Sequence, residues 1–313
     1  MVLGKNLTLS QGENSVSLQN QGEINGNVVL GLSLSEITNL FESLFSAKFP
    51  SLLAEAKSES YKAITDFALK FHEKLNTTVN ETINKKKKEK MEKKFASSEV
   101  QSLIGEIVNQ VGTKTEVSLN ELLANLLMSK LNDDDDDYIV NQSISSLKYL
   151  NKNQVFFLCF ISYVRKVPGV RVSYSESEFD SDIFSVYEQI DSKIDSPELQ
   201  SDLREKAEIF YKEYINDISE FFRKNISNPV NIDLLALNNM IFSDKSYTVS
   251  TLQILGKGLG VTDYAVDRLQ TDFPKFVEFV EFMKINISEL DEFIKPLTPF
   301  GICVSVNCNV KIN

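Results

Sequence analysis

From Ser33 to about Ile294 the apolar residues of this chain recur three and four apart, and that spacing constrains the fold most, because such a pattern buries one stripe of a helix against another. Ser33 or Ser35 can cap a first helix whose stripe is Ile37, Leu40, Phe41, Leu44 and Phe45, up to Pro50. A long helix is expected next, from about Ser51 towards Lys94, with Leu53, Ala56, Tyr61, Ile64, Phe67, Ala68, Phe71 and Leu75 apolar. Unbroken, it would reach roughly 60 Å. Its far end, Lys85–Lys94, is polar all round, and such a helix projects from the body or fails to form.

The starts and stops of the later helices are also written locally. Ser97 or Ser98 begins a segment that ends at Gly112, with Val100, Leu103, Ile104 and Ile107 on one face. Ser118 and Glu121 form a capping box for Leu119–Leu131, which the acidic run Asp133–Asp137 ends. Tyr138–Leu150 and Asn153–Arg165 make a pair joined by Asn151-Lys152, and Pro168-Gly169 closes the block. Ser196-Pro197-Glu198 combines a cap, a proline at the first helical position and an early acid, opening a helix to about Lys224. Ile232–Phe242, Val249–Leu259 and an amphipathic stretch Asp263–Ile294 follow, before a β-like tail Ile302–Ile312.

Residues 5–32 are different. They are rich in Gln, Asn, Gly and Ser, apolar residues alternate, and Gln11-Gly12-Glu13-Asn14 recurs as Gln21-Gly22-Glu23-Ile24-Asn25. So short a β segment is marginal alone and must pair with another element. An exposed strand edge templates the addition of another strand, so the expectation is a homo-oligomer assembled through Gln11, Asn14, Val16, Leu18, Gln21, Ile24, Asn25 and Val28. The fold class expected is mainly α: a multi-helix protein with a long N-terminal helix and a short Gln/Asn/Gly-rich N-terminal β segment. The domains read as a β-rich arm (1–32), a long-helix region (33–95), a compact helical domain (96–170) and a C-terminal helical domain (171–313).

Composition narrows the function classes. The 313 residues carry a net charge of −11, which disfavours an overall basic nucleic-acid binder. The charge is uneven: Lys85–Lys94 holds seven lysines and two glutamates, so this block is +5 and the remainder −16. Lys85, Lys86, Lys87, Lys88 and Lys90 are candidate anion-binding residues, for nucleic acid or an anionic membrane surface. No aromatic is interleaved to stack a base and no arginine to read a guanine edge, so specific recognition is unsupported. The bland reading is a solvated helix end pairing with acids elsewhere. The start of the chain lacks the pattern of a signal peptide, and the densest apolar run, Val155–Val164, is about half a bilayer span. A cytoplasmic protein without a transmembrane segment is expected.

No catalytic constellation emerges, no cofactor or metal is implied, and the protein is expected not to be an enzyme. His72 is the single histidine, and its neighbour Glu73 lies on another helix face. Asp133–Asp137 lacks the calcium-loop pattern. Gly256-Lys257-Gly258-Leu259-Gly260 fails the phosphate-loop pattern and reads better as a helix-ending turn. Cys159, Cys303 and Cys308 lack zinc spacing and read as reduced structural thiols. Residues 230–262 can be read as the helix–turn–helix and strand of a winged helix, giving a DNA-binding regulator as the alternative function.

Four segments resemble an uncharacterised family of bacterial mobile-element proteins. They are Gln11–Asn27 running into Gly31–Glu36, Glu121-Leu122-Leu123-Ala124-Asn125-Leu126-Leu127, Asn141-Gln142-Ser143-Ile144 through Leu150 to Tyr163, and Leu297-Thr298-Pro299-Phe300-Gly301-Ile302. The second and fourth are also similar to the Abi-alpha, or abortive-infection-associated, group. The resemblance implies bacterial defence against phage, through binding of a phage or host partner, and supplies no catalytic residue.

Overall fold

Helices form where caps and periodicity place them. In the computed structural model, which describes residues 58–81, 85–113, 117–132, 137–165, 170–174, 177–181, 187, 190–192, 194–244, 250–308 and 310, the chain is mainly α-helical. The expected β-rich arm, including Gln11, Asn14, Val16, Leu18, Gln21, Ile24, Asn25 and Val28, and the first expected helix lie outside the described residues.

Four helices build the first layer: α1 (Ser58–Glu81), α2 (Lys85–Phe95), α3 (Ser98–Thr113) and α4 (Val117–Asn132). α1 buries Ile64, Phe67, Phe71 and Leu75 against α3 and α4. The single rod expected from about Ser51 towards Lys94 is not formed. Along one straight helix Phe71 and Phe95 would stand roughly 36 Å apart, yet their ring centroids are 6.4 Å apart. Nor does the lysine run project from the body. Met91 and Phe95, four apart, are buried and hold α2 against α3 and α4.

Next come α5 (Asp137–Leu147) and α6 (Lys152–Arg165), the expected helical pair. The turn between them caps α6 reciprocally: Gln154 N donates to Asn151 Oδ1 at 3.0 Å and Asn151 N to Gln154 Oε1 at 2.8 Å. A two-stranded antiparallel hairpin follows, β1 (Val170–Tyr174) and β2 (Ser177–Ser181), with Val170 opposite Ser181 and Tyr174 opposite Ser177.

α7 (Pro197–Asn225) begins as its sequence dictates: Ser196 Oγ accepts from Leu199 N, Pro197 takes the first helical position and Glu198 the positive helix end. Its face of Leu203, Ala207, Tyr211, Ile215, Ile218 and Phe222 is buried. The stretch expected as one amphipathic run, Asp263–Ile294, is divided. A 3-10 turn, Val266–Arg268, leads into α10 (Leu269–Asp272); α11 (Pro274–Phe282) and a 3-10 turn, Ile287–Glu292, follow. Pro274 forces the division, because the residue before a proline is steered out of the helical region, and Phe273 has φ −133°. Before them lie α8 (Ile232–Leu237) and α9 (Thr251–Gly258).

The tail expected as β-like is helix α12 (Pro299–Asn307). Thr298 caps the helix by accepting from Gly301 N, and Pro299 sits at its first position, which favours helix over strand from there. α12 packs against α4, α5 and α6. Phenylalanine rings from α6, α7 and α11, with Phe293 after the second 3-10 turn, fill the centre: Phe160 lies 4.6 Å from Phe279 and 5.6 Å from Phe222, and Phe157 lies 5.4 Å from Phe293. Each buried ring contributes about 1.5–3 kcal/mol by leaving water, and each edge-on pair about 1 kcal/mol more.

Candidate functional site

The lysine and aspartate runs meet at their ends. Lys94 Nζ lies 2.7 Å from Asp137 Oδ1, while Lys130, on α4, reaches Glu99 Oε1 at 2.6 Å and Asp137 Oδ1 at 3.3 Å. Asn141 adds an amide donor to Glu99 at 2.9 Å. Lys130 is fully buried along its length, whereas the carboxylates keep roughly half of their side-chain surface in water. The whole lysine side chain, ammonium included, is therefore shielded from water, and the ammonium ends against two acids that are themselves half exposed. Glu99 titrates below the usual carboxylate range, chiefly through the hydrogen bonds from Lys130 and Asn141. For Asp137, desolvation works upward, and the bonds and charges of Lys94 and Lys130 outweigh it, so the net shift is downward. The candidate anion-binding residues Lys85, Lys86, Lys87, Lys88 and Lys90 lie in the first two turns of α2, with Lys90 exposed. The cation that the structure places at the acids is Lys94, beyond them, together with Lys130, which no local motif marks.

The glycine run at the end of α9 is a platform for three aromatic rings. A Cβ on Gly258 would stand 2.1 Å from the Tyr211 ring, one on Gly256 2.7 Å from Tyr264 Cβ, and one on Gly260, at φ +68°, 3.1 Å from the Tyr187 ring. The backbone approaches the Tyr211 and Tyr187 rings and the Tyr264 Cβ as only glycine permits. The run is thus filled by the protein's own side chains, in line with the turn reading. Beneath it Asp272, nearly buried, receives Tyr264 Oη at 3.0 Å, Lys212 Nζ at 2.9 Å and an Arg268 nitrogen at 3.2 Å. Burial pushes the phenols of Tyr211 and Tyr264 far up and that of Tyr187 to about 12. Asp272 is held low: desolvation opposes this, but the Lys212 and Tyr264 bonds prevail. Phenols kept protonated and a carboxylate kept ionised make a rigid structural network.

The third constellation surrounds α12. Asn125 Nδ2, on α4, donates to Asn307 O at 2.6 Å; Ser143 Oγ, on α5, to Phe300 O at 3.4 Å; Tyr163 Oη, on α6, to Val310 O at 2.6 Å. The start of α12 is fixed to the chain after α8. Phe242 N donates to Pro296 O and Thr298 N to Met240 O, both at 3.0 Å, Thr298 Oγ1 bonds Asn239 O, and Ile241 forms a β-bridge with Leu297. A Cβ on Gly301 would fall 2.0 Å from Met240 O, so Gly301 is fixed by this approach. Ile241, in the short hydrophobic element of the 230–262 stretch, thus pairs with Leu297, while residues 246–249 of the strand-like part of the winged-helix reading lie outside the described residues. Phe300 meets the exposed ring of Tyr138 edge-on at 6.0 Å.

His72, on α1, is half-buried and has the Asn76 amide nitrogen 3.2 Å from its Nε2. Among the described residues no group of three His, Cys, Asp or Glu side chains could hold a metal ion, and no helix is long and apolar enough to cross a membrane. A family model whose description reads only ":-like" matches residues 31–308, and the chain belongs to that family. Comparisons with curated proteins and with solved structures give no match.

Proposed function

We propose that this family member is a non-enzymatic, self-assembling protein of bacterial defence against phage, of abortive-infection type, acting by binding a phage or host partner. The observation that supports it is the meeting of three resembling segments at α12. Asn125 from Glu121–Leu127, Ser143 and Tyr163 from Asn141–Tyr163, and Phe300 from Leu297–Ile302 are joined by hydrogen bonds directly, through α12, or through Val310 just after it. Segments that resemble a family because they share a core argue for a shared architecture, and the polar groups there cap helices and hold backbone carbonyls. In this reading the helical body is a scaffold, residues 1–32 are the assembling arm, and the protein works in the cytoplasm.

Light scattering on the full chain and on a chain lacking residues 1–30 tests assembly. The full chain should have a mass several times that of the shortened one; identical masses overturn the self-assembly reading. Expression in a bacterial host challenged with phage should reduce plaque formation, and unchanged plating across a varied phage panel overturns the defence reading. Salt-dependent binding of duplex DNA that weakens when Lys85, Lys86, Lys87, Lys88 and Lys90 are neutralised would instead favour a DNA-binding regulator.

A further inference from the structure

Tertiary packing brings together two cysteines that are far apart in the chain. Cys159 lies on α6, fully buried, and its thiol points to Ser305 O at 3.8 Å. One turn along the same face, Tyr163 Oη donates to Val310 O at 2.6 Å. Ser305 and Val310 bracket Cys308, the half-buried C-cap residue of α12, three residues beyond Ser305, so Cys308 lies on the stretch that packs against the Cys159 face of α6. Cys303 is not an equivalent partner for Cys308. Five residues apart in a helix, the two side chains point roughly 140° apart around the axis, outside the reach of a disulfide.

We infer that Cys159 and Cys308 are an oxidation site: a peroxide converts the pair to a disulfide that fastens the end of α12 to α6. The chemistry balances in two steps. The Cys308 sulfur, at the surface edge of the pair, attacks one oxygen of hydrogen peroxide; the O–O bond breaks, Cys308 becomes a sulfenic acid and water leaves. The Cys159 sulfur then attacks the Cys308 sulfur. The S–S bond forms as the S–O bond breaks, and the departing hydroxide takes the Cys159 proton to leave as a second water. Two thiols are oxidised and one peroxide is reduced. The side chain of Cys308 has then only to swing towards Cys159 until the two sulfurs reach the roughly 2.05 Å of a disulfide. The bond closes a long loop through the C-terminal half and ties the helix around which the resembling segments gather.

The test uses the full chain, reduced, treated with hydrogen peroxide, then denatured, alkylated with iodoacetamide and mapped by mass spectrometry. A peptide pair linked through Cys159 and Cys308 is expected, with Cys303 alkylated and Tm raised by about 5 °C, reversed by dithiothreitol. Cys303→Ser should retain the link, and Cys308→Ser should abolish it and leave Cys159 alkylatable. A Cys303–Cys308 link, a link between chains, or Cys308 oxidised to sulfinic acid with Cys159 still free, in protein whose circular dichroism is native, overturns the inference.

Discussion

A buried lysine organises one part of this molecule and a nearly buried aspartate another, and their surroundings differ. Lys130 is buried to its ammonium, but it ends between Glu99 and Asp137, both about half exposed, so its partners remain hydrated. Asp272 is held by Tyr264, itself buried, and by Lys212 and Arg268, which are only partly in water. A charge whose partners can return to water is replaceable, whereas one that satisfies a buried hydroxyl is not, because removal leaves a desolvated donor behind.

The largest loss of stability is expected at the glycines above Asp272. Gly258→Ala should destabilise the protein by about 3 kcal/mol or more, since the new methyl meets the fully buried Tyr211 ring. Denaturant unfolding measures it; a loss below about 1 kcal/mol would mean that the ring has room to move. Asp272→Ala comes next, at about 3 kcal/mol, with Asp272→Asn recovering about half because its amide oxygen still accepts from Tyr264. In the other centre, Lys130→Met should cost only about 1 kcal/mol, and a larger loss than for Asp272→Ala would invert the argument.

Acid sharpens the contrast. Glu99, Asp137 and Asp272 have folded pKa values below their ordinary 4.5, 3.8 and 3.8. Each contributes stability that is present above its ordinary value and lost as pH falls through its lower folded value. Tm should therefore fall below about pH 4, and less steeply in Lys130→Met, where Glu99 and Asp137 have lost their shared cation. Equal slopes in the two proteins would show that Lys130 does not set these pKa values. The smallest effect belongs to Lys94→Ala, about 0.5 kcal/mol, because Asp137 keeps Lys130 and stays hydrated.

Much of the fold was legible because its signals are short-range. Ser196-Pro197-Glu198 opens a long helix that ends one residue past the expected Lys224, and the Asn151-Lys152 turn separates two helices. The same local reading failed at Ile302–Asn307, where the Thr298-Pro299 start makes a helix of a stretch expected to be β-like, and at Lys85–Lys94, where seven lysines obscured Met91 and, next to them, Phe95. Of the candidate site, the resembling segments were visible as strings, but their meeting at α12 was not, since Asn125 and Asn307 are joined only by the fold.

By itself the sequence determined that most of this chain is helical, where many helices begin, and that its charge divides into a basic block and an acidic remainder. These follow from periodicity, caps and counting, which act over one or two turns or over no distance at all. Only the tertiary structure decided that α2 packs on the body, that Lys130 is buried, that the glycine run accommodates tyrosines and that Cys159 meets Ser305 of α12. Each depends on which faces are brought together by burying apolar surface, a property of the whole chain that no local window contains.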